Sequence, residues 1–415
     1  MRLSLPWAIR GPRRGTHEVT QSGRIRINLE RAADGPDVSS AATPIDGVGA
    51  RVLELCLSPA KGGLELYVLR IARHLAASKV LAFTVVAPGS ELEKRLDAEG
   101  LPYRLLRVRF RRFPLAAARR LAGWIDTEAI EALHIHWAKD LHLAVLARAL
   151  AHRPVRIVYT RQMAISRPKH DWYHRMLYRR VDLILAITKR LQEEARRFLP
   201  LAPERVQVLY HGVAAPPGRA DCTSIRAGLH IPSERFVVAL FGRIEPAKGQ
   251  HVLVDAVARL VKRGVDVHAV LYGHPMAPGH LRDLQSQIVR LGVNDRVTYA
   301  GYHPDPQAIM SCFDCVVLTT YNETFGLVLI EAMRAGSAVI GTNTGGVPEI
   351  IEDGATGLLV PPGDAAALAD AIERLVRDRG LRDRLAMAGK RSADERFSEE
   401  KHFAQLLTWL RGATQ

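Results

Sequence analysis

DCVVLTTYNETFGLVLIEAMRAGSAVIGTNTGGVPEIIEDGATGLLVPPGD, residues 314–364, is the stretch that decides the fold. Cys315 to Leu318 is a short apolar run, Thr319 to Glu323 a polar turn, and Phe325 to Ala335 places apolar residues at helical spacing. Thr324 stands where it can cap that helix, and Gly336 ends it before a second apolar run, Ala338 to Gly341. Strand, loop, helix and strand in this order predict one half of a doubly wound parallel sheet.

Two carboxylates frame the helix. Glu323 lies just before it, and Glu331 falls seven positions past the expected cap, nearly beneath it and roughly 10 Å along the axis. That separation suits a sugar and a ribose joined through a diphosphate. The free N–H groups and positive dipole end at Thr324, Phe325, Gly326 and Leu327 are placed to hold the phosphates, and Gly326 allows close approach to the backbone. An ordinary capped helix with one solvated glutamate accounts for the same spacing. What separates the two readings is the company: Gly345-Gly346-Val347-Pro348-Glu349 and Gly357-Leu358-Leu359-Val360-Pro361-Pro362-Gly363-Asp364 follow downstream.

Together these segments resemble the signature of the retaining glycosyltransferases of family 4, in which Glu, seven residues, Glu precedes a Gly-Gly-Val-Pro-Glu turn. The resemblance covers residues 50–411 and is most specific in the second half. It implies an α/β chain of GT-B architecture, two Rossmann-like doubly wound parallel-sheet domains facing across a cleft. It also implies a nucleotide-sugar donor, a glycan or glycolipid acceptor, and transfer with retention of configuration. By the same resemblance Glu323 contacts the donor sugar, Glu331 the ribose hydroxyls, and Arg243 with Lys248 the diphosphate.

Upstream in the same half, Phe236 to Phe241 starts a strand, glycine and helix unit that runs on as Gly242-Arg243-Ile244-Glu245-Pro246-Ala247-Lys248-Gly249. Arg243 and Lys248 leave a strand at its carboxyl end, where open α/β sheets bind ligands, and two cations there can neutralise a departing diphosphate. Because no Asp-x-Asp stands at a strand end, neither a metal nor another cofactor is expected. The strand Val267 to Tyr272 ends at Gly273-His274 and the strand Val297 to Ala300 at Gly301. Those ends either line a base pocket or leave His274 as a hydrogen-bonded loop histidine. Helices are expected at 365–377 and 381–395, and the last, 399–411, resembles the terminal helix that returns to the first domain in this fold.

In the first half, Arg51 to Leu57 reads as a strand leading through Gly62-Gly63 into a helix at 64–77, a phosphate-approach geometry or a plain tight turn. The family's Gly-Gly-x-Glu, here Gly62, Gly63 and Glu65, lies in the cleft. Further strands are expected at 81–86, 103–106, 132–136, 155–160, 183–187 and 206–210, separated by helical patterns. Candidates for the acceptor are His136, Arg161 and Lys169. Arginine stays protonated and cannot serve as a base, so Arg161 either pairs with an anionic acceptor or makes a salt bridge within the cleft. The run Arg161-Gln162-Met163 through Ser166-Arg167-Pro168-Lys169-His170-Asp171 resembles a subgroup that builds lipopolysaccharide or other cell-surface polysaccharide. Pro216-Pro217-Gly218 marks a linker. The domains are accordingly a disordered extension at 1–49, an acceptor-binding domain at 50–213, a nucleotide-sugar-binding domain at 214–396, and a returning helix at 397–415.

A chain of 415 residues, 47% hydrophobic, exceeds one core and can fill two. No apolar run is long enough to span a bilayer. The net charge of +15 points to anionic partners, and from Leu101 to Gly123 seven arginines alternate with leucine, valine and phenylalanine without one acid. That composition suits either a surface touching acidic lipid headgroups, which makes a peripheral membrane protein the expectation, or a plain solvated face on a basic protein. Phe110 and Phe113 form no RNA-binding motif, which sets aside a nucleic-acid binder. A catalytically silent nucleotide-sugar sensor would not need Glu323, Glu331, Arg243 and Lys248 all intact. Four cysteines, Cys56, Cys222, Cys312 and Cys315, are too few and too scattered for a disulfide framework, and Cys312 and Cys315 lack the second pair of a zinc site, so a reducing cytoplasm is the expected compartment.

Overall fold

A computed structural model describes residues 51–412 apart from 219 and 277. The expected disordered extension at 1–49 lies outside the described residues. Among the described residues thirteen strands, all paired in parallel, form two sheets. The first sheet holds β1 (Val52–Cys56), β2 (Leu81–Val86), β3 (Tyr103–Leu105), β4 (Ala132–Ile135), β5 (Arg156–Arg161), β6 (Leu183–Ala186) and β7 (Val206–Val208), in the spatial order β3-β2-β1-β4-β5-β6-β7. The second holds β8 (Phe236–Phe241), β9 (Val267–Tyr272), β10 (Val297–Gly301), β11 (Cys315–Leu318), β12 (Ala338–Thr342) and β13 (Leu358–Val360), in the order β10-β9-β8-β11-β12-β13. In both sheets the winding reverses beside the first strand, between β1 and β4 and between β8 and β11. Open α/β sheets take ligands in the crevice beyond the carboxyl ends at such a point.

The apolar runs become strands because helices cover both faces, so that β8, β9 and β11 are buried along their whole length. At three residues β13 is too short to stand out from its signature, and it was not among the expected strands.

The chain closes by crossing back. The final helix, Glu399–Leu410, lays Phe403, Leu406 and Leu410 against Val52, Ile71, Leu75 and Leu185 of the first half. Each such side chain contributes about 1.5 to 3 kcal/mol by leaving water. The crossing is fastened by an isolated bridge between Val213 and Ser398 and by Arg70, whose Nε donates to Glu399 Oε1 at 2.8 Å. A side chain at Gly212 would sit 2.6 Å from the Glu399 Cα, so only glycine lets the two segments meet.

Candidate active site

The loops leaving β8 and β11 are stapled to one another before any ligand is considered. Gly249 has φ +69°, and a Cβ there would lie 2.1 Å from the Thr319 carbonyl oxygen. Thr319 Oγ1 donates to the carbonyls of Lys248 and Gly249, both at 2.9 Å, and Thr320 Oγ1 donates to the Ala247 carbonyl at 3.0 Å. This contact carries Lys248 to Glu323: Nζ donates to Oε2 at 2.8 Å, with both side chains about four-fifths shielded from water. The other oxygen of Glu323 accepts the Thr324 N–H at 3.1 Å. Beneath them runs the Gly345-Gly346 turn, where Gly346 N–H donates to the Glu323 carbonyl at 3.1 Å. A Cβ on Gly345 would fall 1.6 Å from that same carbonyl oxygen. The two halves of the sequence signature are thus one packed unit.

The helix begins later than expected. Thr324 is not its cap: the side chain makes no capping bond, and the chain passes through a left-handed turn at Gly326, φ +111°, before the helix Leu327–Ala335 starts. Glu331 is therefore the fifth residue of the helix, one turn in. The amides of Phe325, Gly326 and Leu327 have no acceptor among the described residues, so three N–H donors stand unengaged even though the cap is glycine. The Phe325 ring itself faces inward, buried and stacked on Tyr210 at a centroid distance of 5.9 Å. Half-buried Glu331 makes no hydrogen bond within the described residues, and burial raises its pKa against the pull of Arg70. A carboxylate short of donors is what a pair of ribose hydroxyls can satisfy.

Other expected site residues are dispersed. Arg243 is mostly exposed and paired with Glu245 at 2.9 Å, apart from the Lys248–Glu323 pair. Gly273 lies against the Gly242 carbonyl, and exposed His274 accepts the Ile244 N–H through its backbone at 3.0 Å. Gly62 caps the helix Gly63–Ala77, with buried Glu65 turned back to accept its N–H at 2.9 Å.

Arg161 is buried, with Nη1 donating to Tyr159 Oη at 3.0 Å and Nη2 to the Ala164 carbonyl at 3.1 Å. It has no acidic partner among the described residues, and its Nε has no acceptor. Half-buried Lys169 lies close enough that burial and the Arg161 charge together lower its pKa. His136 is buried with Nε2 on Glu54 Oε2 at 2.5 Å and Nδ1 unpartnered.

That last contact opens a network that the motifs did not announce. Fully buried Glu54 also accepts from His134 Nδ1 at 3.0 Å, and His134 Nε2 meets Thr160 Oγ1 at 2.7 Å. Glu54 is held down to about 2 by the two histidines despite its burial, while burial lowers His136 to about 4. The three residues offer ligand atoms within 4.8 Å of one another, but the hydrogen bonds among them already satisfy the carboxylate. A glutamate amid the apolar run Val-Leu-Glu-Leu-Cys was the signal that could have found it.

A second missed residue is Glu349 of the Gly-Gly-Val-Pro-Glu turn. Its carboxylate accepts the N–H groups of Lys189 at 2.7 Å and Arg190 at 3.0 Å, the first turn of the helix Lys189–Phe198 in the first half, and the Tyr210 hydroxyl at 3.0 Å.

The cysteine expectation is corrected. Cys222 is disulfide-bonded to Cys312, which leaves Cys56 and Cys315 as buried free thiols. The helix Cys222–Gly228 is held beside the approach to β11 by Arg226, which donates to the Cys312 carbonyl at 3.0 Å and pairs with Asp314 at 2.8 Å. Tertiary packing thus joins thiols 90 residues apart, and the cysteine count does not fix the compartment.

Comparison with known proteins agrees with this geometry. The model for glycosyltransferase family 4 matches residues 61–215 and that for glycosyl transferases group 1 matches 221–392. The D-inositol 3-phosphate glycosyltransferase of Nocardia farcinica is 30% identical over 381 residues, 83% of this chain and 80% of its own. The lipopolysaccharide core biosynthesis glycosyltransferase LpsE of Rhizobium meliloti is 36% identical over 42% of this chain and 49% of its own, so that match spans about half of the relative. Among solved structures, Anabaena HepE in complex with UDP-glucose superposes with a TM-score of 0.72 at 25% identity, covering 87% of this chain and all of that one. By its sequence and its paired parallel sheets, the chain belongs to the family 4 glycosyltransferases of GT-B architecture.

Proposed function

We propose that the protein transfers a sugar from a nucleotide-sugar donor to an anionic glycan or glycolipid of the cell envelope, with retention of configuration. The observation that carries this is the Lys248–Glu323 pair at the β8/β11 reversal, set beside three unengaged amides. Lys248 and those amides stabilise charge on the departing diphosphate, with Arg243 swinging from its exposed pairing to assist. Glu331 holds the ribose, and Glu323 orients the donor sugar while keeping Lys248 in position. The leaving phosphate takes the acceptor proton, so the reaction needs neither a protein base nor a metal ion. A donor of this class is bound by HepE, whose structure contains UDP-glucose.

On the acceptor side, Arg161 and Lys169 supply two neighbouring cations, neither in a salt bridge among the described residues, with Asp171 offsetting part of the Lys169 charge. The phosphorylated inositol in the name of the Nocardia relative, and the lipopolysaccharide core in that of LpsE, support an anionic envelope acceptor. Among the described residues no helix is long and apolar enough to cross a membrane. We place the enzyme in the cytoplasm, peripheral to the inner face of the plasma membrane.

The test is a thermal-shift panel of nucleoside diphosphates followed by transfer assays in excess chelator. One diphosphate should raise the melting temperature, because it binds only the folded state. Lys248→Ala should lower turnover by about 10²- to 10³-fold, the scale of losing one donor to transition-state charge. No shift with any nucleotide, or unchanged turnover in Lys248→Ala, would overturn the assignment.

A further inference from the structure

Because the first sheet is entirely parallel, the loops after β3 and β5 leave it along one edge, and both present apolar side chains to water. Phe110 and Phe113, 65% and 77% exposed, lie on the loop after β3; Met163 and Trp172, 63% and 77% exposed, follow β5. Leu115 is exposed at the start of the helix Leu115–Thr127 that continues the first of these loops. Aromatic rings held in water beside cations are the composition of a membrane-surface element.

The loop after β3 carries cations and no acid, while beside Trp172 stands Asp171, about half exposed and bonded to His174. Arg104 is paired with Glu128, and Arg111 lies 3.8 Å from Asp140. Arg107, Arg109, Arg112 and Arg119 are exposed with no acidic partner among the described residues. The loop also divides its side chains: Phe110 and Phe113 are exposed, while Arg107 and Arg111 line a cavity of about 200 Å³ together with Leu57, Ala87, Pro88, Leu106 and Val108. A cavity of mainly apolar lining with the unpaired Arg107 guanidinium at it suits a phosphate carried on a lipid headgroup.

We infer that this edge docks on an anionic bilayer, with Phe110, Phe113 and Trp172 entering the boundary between headgroups and acyl chains and the unpaired arginines taking lipid phosphates. The inference deepens the envelope-acceptor reading and rests on it only for the reason the surface exists: the acceptor edge is brought to the headgroups, where a lipid-linked acceptor presents its sugar.

The test is co-sedimentation of the full chain with vesicles of phosphatidylcholine alone or mixed with phosphatidylglycerol. Wild type should bind the mixed vesicles, and binding should fall as salt rises, since the attraction is screened over about 8 Å at physiological ionic strength. The Phe110→Ser, Phe113→Ser, Trp172→Ser triple variant should lose at least about tenfold in partitioning, from the apolar area it no longer buries. Its thermal shift with the nucleoside diphosphate should stay at the wild-type value, which shows that it is folded. Equal binding to both vesicle types, or a triple variant that binds as wild type does, would overturn the insertion. Tighter binding to a random oligonucleotide than to mixed vesicles would reassign the surface to nucleic acid. If no nucleotide shifts wild type while vesicle docking persists, the enzyme assignment fails and the membrane surface stands.

Discussion

Two carboxyl groups in this protein have raised pKa values for the same reason and different consequences. Glu331 is desolvated one turn into its helix with no hydrogen-bond donor among the described residues, and in the proposed reading a ribose satisfies it. Replacing it with glutamine removes the charge from those hydrogen bonds, and nucleoside diphosphate affinity should fall by about 1 to 3 kcal/mol, roughly 5- to 150-fold in Kd by calorimetry. Asp140 is fully buried, accepts the Leu57 N–H at 2.8 Å with one oxygen, and leaves the other without a hydrogen bond, 3.8 Å from Arg111. Burial pushes it from 3.8 up to about 7. The folded chain therefore holds a proton that the unfolded chain releases from about pH 4 upward, and stability is lost as pH rises from there to about 7. Asp140→Asn escapes this loss. Its melting temperature should exceed that of wild type by a margin that widens between pH 4 and 7 and is level above. A tenfold change in proton affinity is worth about 1.4 kcal/mol, which sets a ceiling of roughly 4 kcal/mol.

At the scale of elements, the Cys222–Cys312 bond ties the helix after the linker to the approach to β11. By chain entropy, closing a loop of this length stabilises by about 4.6 kcal/mol, above the roughly 2 to 4 kcal/mol that disulfides typically contribute. Thiol titration of the denatured, unreduced protein should find two free thiols, and Cys312→Ser should melt several degrees lower. Most elements were legible beforehand because parallel strands buried on both faces are continuous apolar runs, as at Phe236 to Phe241 and Cys315 to Leu318. The helix start at Leu327 was not, because threonine is a good cap and only the packing of Gly345 and Gly346 under Glu323 makes the chain turn at Gly326 instead. The Lys248–Glu323 pair was anticipated as two parts of one site through the resemblance, since its members are 75 residues apart and meet only through the Thr319 and Thr320 staples. Glu54 and Glu349 were missed for opposite reasons. One is a lone acid in an otherwise apolar strand, whose histidine partners lie about 80 residues on, and the other caps a helix 160 residues away.

Across the whole molecule, buried histidines set the response to acid. Burial lowers His136, His268 and His402 to about 4 and His211 well below its ordinary value, so each stays neutral in the folded chain while the unfolded chain takes up protons below about 6.5. Stability should fall as pH drops from about 6.5 toward 4, outweighing the opposite contribution of Asp140. Denaturant midpoints in that window should decrease with pH; a flat profile would mean that these histidines are solvated. His402 also marks how the chain is assembled, with Nε2 at Tyr67 Oη, 3.0 Å, and Nδ1 at the Tyr210 carbonyl, 2.6 Å. The unit that folds around the first sheet is thus not the first half of the gene product. A fragment ending near the linker would be synthesised with its Val52, Ile71 and Leu75 face uncovered, and it could not mature until translation had delivered the last helix. A chimera that takes its first sheet from one relative must take the last helix from that relative too.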